Sequence, residues 1–260
     1  MANREGLKWS REETILAFEL YCRTPFGKIS SSNPEIAKLA ELLGRSVGSV
    51  SLKMANLAHF DPELQRRNIK GMRNASKLDG VIFEEFSKNL EELAYEAEKI
   101  KAGYKDIIVK AGDALLEIEP MPPGEYKERT VNTRLGQNAF RTAVLNSYRG
   151  ECCITGLKYP EMLVASHIKP WAVSDEKNER TNPQNGLCLN AFHDKAFDQG
   201  LITIDKNYHI IISSQLKNAE MDEITKNWIM SYAGEVIHLP EKFIPGKEFI
   251  EYHNDIIFKP

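Results

Sequence analysis

The chain has 260 residues, 42% apolar and 27% charged, with a formal net charge of -3. That length admits one large domain or two ordinary ones, and the charge balance excludes a uniformly basic nucleic-acid binder. No apolar stretch approaches the roughly 18 to 20 residues of a membrane span, so no membrane partner is expected.

The opening "MANREGLKWSREET" carries no hydrophobic signal core, and four cysteines make a poor disulfide framework at this length. A reduced, cytoplasmic setting is the expectation. Charge is unevenly spread. Residues 1–80 hold 13 basic against 9 acidic side chains, and residues 81–130 hold 7 against 12. A positive module followed by an acidic connector leaves DNA or RNA binding open.

In chain order, "WSREETILAFELYC" predicts a helix opened by a capping box, with Ser10 three residues before Glu13. "NPEIAKLAELLGRSVGSVSLKMANL" predicts two short helices joined at Gly44, the first capped by Asn33 with Pro34 in its first turn. The spacing Ala40, Gly44, Val50 fits a helix-turn-helix, in which a small residue lets the helices cross and a glycine supports the turn. Lys53 and Asn56 then fall on the outer face and Arg45 beside the turn, making all three candidate DNA contacts. A helical domain that only packs, or that binds protein, would give the same pattern.

"GVIFEEFSKNLEELAYEAEKIKAG" predicts one long helix whose Phe83, Phe86, Leu90, Leu93, Ala97 and Ile100 form a heptad seam. That seam is a candidate homodimer contact; packing within its own domain is the other reading. "EPMPPGE" marks a linker. "RLGQNAFRTAVLNSYRG" reads as an amphipathic helix stopped by Gly150, with Gln137 and Arg141 one turn apart as candidate backbone contacts to DNA. The runs "MLVASHI", "NGLCL", "LITID" and "HIIIS" read as strands, the last two flanking a turn at "KN". The expected class is therefore α+β. Residues 1–80 form a helix-turn-helix-like domain, 81–130 a helical connector with a Pro-rich linker, and 131–260 a mixed domain.

Hydrolysing a phosphodiester needs a base for water and a cation for the charge that grows on phosphate and leaving oxygen. Histidine, with an ordinary pKa near 6.5, is largely neutral at pH 7 and suits the first task. A strand ending at His167, a loop, a strand starting at Asn185 and a helix carrying His193 would bring both histidines to one cleft. Asn185, with donor and acceptor capacity, would tie the loop ends together.

The stretch "ECCITG…ASHIKPWA…NPQNGLCLNAFHDKAFDQGL" resembles the HNH endonucleases, the ββα-metal family, in a subgroup found in bacterial restriction and defence enzymes. The resemblance spans roughly residues 131 to 213. It implies His167 as general base, Asn185 as the residue that orients it, and His193 as metal ligand. The implied reaction is single-metal hydrolysis of double-stranded DNA.

Ser166 stands where many members carry an acidic residue or histidine, and Phe197 where some carry a second histidine. Those departures favour weakly held Mg²⁺ or Mn²⁺. Asp198, about 140° around the helix from His193, is read as a supporting or capping residue. Lys169 is a candidate phosphate contact and Trp171 a core filler. The "CCITG" and Cys188 segments lack the paired cysteines of a tetrahedral site, so no structural zinc is expected. Two other readings stand beside the DNA nuclease: a DNA-binding regulator with a degenerate nuclease domain, and an RNA-directed or nicking enzyme.

Overall fold

The computed structural model describes residues 4–66, 75–111 and 125–260. Residues 119–124 of the "EPMPPGE" linker lie outside them. Residues divide into two compact units, Met1–Ala143 and Val144–Pro260. Among the described residues no helix is long and apolar enough to cross a membrane.

The first unit is helical. Helix α1 (Arg11–Cys22) carries the predicted capping box: the Ser10 hydroxyl accepts from Glu13 N–H, and the Glu13 carboxylate accepts from Ser10 N–H. Ile15, Leu16, Phe18, Leu20 and Tyr21 are all buried, so α1 is apolar around most of its circumference. Such a helix must be surrounded. Helices α2 (Pro34–Leu43), α3 (Val47–Leu57), α5 (Lys77–Phe86) and α6 (Leu90–Ala111) pack on it, with the short α4 (Pro62–Arg66) between α3 and α5. Asn33 caps α2 and Ser46 caps α3. The turn between them runs through Gly44 at φ +65°, a left-handed conformation that glycine adopts without strain.

One expectation is corrected here. The long helix expected over 80–103 is two helices, because Asn89 accepts from Glu92 N–H and starts α6 afresh. Of the seam residues, Phe86, Leu90, Leu93 and Ala97 are buried in the unit's own core, and Phe83 and Ile100 are half-buried.

Arg45 and Lys53, expected at DNA, lie inside as well. The Arg45 guanidinium makes two bonds to Glu13, at 2.8 and 3.1 Å, and sits over the Trp9 ring. Lys53 Nζ lies 2.5 Å from Asp79, whose side chain also closes the capping box of α5 with Ser76. Neither cation is left for a phosphate. Breaking one partner of such a pair strands a buried charge, so Glu13→Gln is expected to cost about 3–5 kcal/mol. Urea unfolding measures it; a loss under 1 kcal/mol would mean the pair is hydrated.

The helix expected from Arg134 is longer, α7 spanning Glu125–Ser147. Gln137 and Arg141 are exposed on it, while Phe140, Val144 and Tyr148 form the expected buried stripe.

The second unit holds two antiparallel hairpins. Strands β1 (Leu163–His167) and β2 (Gly186–Asn190) pair with His167 opposite Gly186 and Leu163 opposite Asn190. Helix α8 (Ala191–Asp198) follows β2 directly and packs on both strands. Strands β3 (Ile202–Ile204) and β4 (Ile210–Ile212) turn through the expected "KN". Helices α9 (Ser214–Lys217), α10 (Glu223–Met230) and α11 (Lys247–Tyr252) complete the unit. At Gly200, φ +69°, an added Cβ would meet the Ile257 carbonyl at 2.0 Å, so the C-terminal segment packs where only glycine fits.

Candidate active site

β1 delivers His167 to the mouth of a cleft of about 440 Å³, lined by Ser166, His167, Trp171, Asp194, Asp198 and Gln199 among others. The His167 Nε2 lies 2.8 Å from the Arg180 carbonyl. A carbonyl can only accept, so Nε2 carries the proton and the neutral ring keeps its lone pair on Nδ1. Burial lowers the ring's pKa below 6.5, and the Arg180 carbonyl opposes the shift only in part. The imidazole is therefore neutral at pH 7. Trp171, expected in the core, is instead partly exposed and meets the His167 ring edge to face at 5.6 Å.

Asn185 is fully buried and clasps the loop between the strands. Its Oδ1 accepts from Lys169 N–H at 2.8 Å. Its Nδ2 donates to the carbonyls of Lys169, 3.0 Å, and Glu179, 3.2 Å. The start and end of the loop are thus held by one amide. Because Glu179 precedes Arg180, the clasp also fixes the carbonyl that orients His167. Asn185→Ala leaves those backbone groups unpaired and is expected to cost about 2–4 kcal/mol. Thermal unfolding would register it; an unchanged melting temperature would mean the loop holds without the clasp.

The strongest departure from expectation concerns α8. Asn190 caps it, its Oδ1 accepting from the N–H groups of Phe192 and His193. Cys152 Sγ accepts from Asn190 N–H at 3.2 Å and so anchors the helix start. His193, expected in the cleft, is not among its lining residues. The side chain is buried, Nδ1 is 3.1 Å from Asn190 Oδ1, and the ring packs against Phe192, Trp228 and Tyr232. Desolvation holds its pKa at about 4. It shares the inward face with Phe197, four residues on.

One residue of helix is about 100° of rotation. That step puts Asp194, and Asp198 one turn later, on the face that lines the cleft with His167. The Asp198 carboxyl is raised by its partial burial and then by the charge of Asp194. Ser166 adds a buried hydroxyl without a partner, also at the cleft. Carboxylates and a hydroxyl are donors of the kind a hard divalent cation takes, although among the described residues no three His, Cys, Asp or Glu side chains are gathered as a metal site. Sequence reasoning passed over Asp194. The signal available was its i, i+4 spacing from Asp198.

Lys169, a candidate phosphate contact, pairs with Glu179 at 2.6 Å and lies over the Tyr252 ring. None of the four cysteines is in a disulfide, and all are buried.

Residues 152–205 match the family model for HNH endonucleases. The matched segment begins at the cysteine that anchors α8 and ends just after β3. That segment, about a fifth of the chain, is similar to the HNH endonucleases. No curated protein matches the chain.

Proposed function

We propose that the protein is a divalent-metal-dependent DNA endonuclease of the restriction or defence kind, with His167 as the general base. The observation that carries the reading is the placement of His167, its Nε2 bonded to the Arg180 carbonyl, in a cleft that also contains Asp194 and Asp198. The HNH family match agrees with this chemistry.

In the proposed mechanism His167 Nδ1 takes the proton of the attacking water. The Arg180 carbonyl stabilises the imidazolium that results, because Nε2–H donates to it throughout. Asn185 keeps the loop, and with it that carbonyl, in place. Asp194 and Asp198 would hold the cation, in the role that the motif alone assigned to His193. When bound, the cation neutralises charge growing on the phosphate and the leaving oxygen.

The restriction-type assignment rests on the motif resemblance and on the helical unit that accompanies the nuclease. Supercoiled plasmid and phage DNA, unmodified and cytosine-modified, test it in Mg²⁺, Mn²⁺ or EDTA. The expected result is nicked or linear product with 5′-phosphate ends in either metal and none in EDTA. DNA that is bound but never cut in any metal would favour the degenerate, regulatory reading.

A further inference from the structure

Residues of α3, together with residues 8–9 and 76–79, line a cleft of about 600 Å³. Its lining includes Lys8, Trp9, Ser49, Leu52, Asn56 and Lys77. That volume lies within the range of pockets for small planar ligands, roughly 300–1,000 Å³. A cleft of that size suits one base.

The lining has the chemistry of a base site. Trp9, whose ring is held by cation–π contacts to Arg45 and Lys53, is an aromatic wall, and Leu52 is an exposed apolar one. Asn56 Oδ1 is shielded from solvent and has no hydrogen-bond partner. An amide can turn by half a rotation to offer donor or acceptor, the pair that a base edge engages. Lys8 and Lys77 are exposed cations on the lining, available to flanking phosphates. Arg45 and Lys53 hold Trp9 and their own carboxylates, so their part is to build the cleft.

We propose that this cleft of the N-terminal unit takes up a single unpaired nucleobase of the DNA substrate. The proposal rests on the reading of DNA as substrate and deepens it: the helical unit reads an extruded base in a pocket. Unstacking costs a few kcal/mol and is least for a base already mispaired, so such DNA should bind best.

The test is binding in EDTA, where no cutting intervenes. Full-length protein is titrated against a labelled duplex that is fully paired and one with a single base facing an abasic site. The expected result is at least tenfold tighter binding of the second duplex. That preference, read as the ratio of the two affinities within each variant, should vanish in Asn56→Leu and in Leu52→Glu. Leu52 is exposed, so its variant keeps the test valid if Asn56→Leu folds poorly. His167→Ala protein should retain the preference, which separates failure of this proposal from failure of the nuclease reading. No preference in the wild type, or one that survives in Leu52→Glu and in folded Asn56→Leu, overturns it.

Discussion

Exchanging Asp194 and Asp198 together for asparagine is expected to abolish DNA cleavage and to weaken Mn²⁺ binding at least tenfold. His193→Phe should leave metal binding near wild type. The contrast follows from one step of helix rotation. Asp194 and Asp198 line the cleft beside His167, whereas His193 packs among Phe192, Trp228 and Tyr232. Carboxylates lowered in mutual repulsion by a cation between them should also bind it better as pH rises through their range. The double variant should be no less stable than the wild type, because it removes a repulsion felt at Asp198. Calorimetric or paramagnetic titration of Mn²⁺, with no DNA present, reads the binding directly. Loss of the metal in His193→Phe, with retention in the aspartate variant, would return the site to the histidine.

The second large effect is expected at His167. His167→Ala should lower the single-turnover rate of cleavage by about 10²–10⁴-fold, the usual contribution of a positioned acid–base group. Thermal unfolding of both proteins separates a loss of chemistry from a loss of fold. The pH dependence carries a further sign. Burial lowers the His167 pKa below 6.5, so the neutral, proton-accepting ring persists to lower pH than in an exposed histidine. The acid limb of the wild-type rate should therefore lie below pH 6.5. A limb above 6.5 would mean that the neighbouring carboxylates, and not burial, govern the ring.

Much of the fold was legible because it is written locally. Ser10 with Glu13, Asn33 with Pro34, and Ser46 each announce a helix start within a few residues of chain. The apolar runs of β1 and β2 and the Asn185 clasp were readable for the same reason. What sequence missed depends on partners far away in the chain. Arg45 and Lys53 look like a solvated basic face until Glu13, 32 residues earlier, and Asp79, 26 residues later, are found beside them. The heptad seam concealed a break, since "KNLEE" sustains the apolar spacing while Asn89 restarts the helix. At α8 the motif singled out His193, which faces inward, while Asp194 and Asp198 line the cleft. The histidine is the more familiar ligand, and only packing against Trp228 and Tyr232 decides which way it points.

The central claim is that the cleft around His167 cuts DNA with His167 as base. The most direct measurement is cleavage of plasmid DNA by wild-type and His167→Ala protein side by side, in Mg²⁺, Mn²⁺ and EDTA. The account predicts metal-dependent nicking or cutting by the wild type and a loss of at least a hundredfold in the variant, with both proteins equally folded. Equal cutting by the two proteins would contradict it.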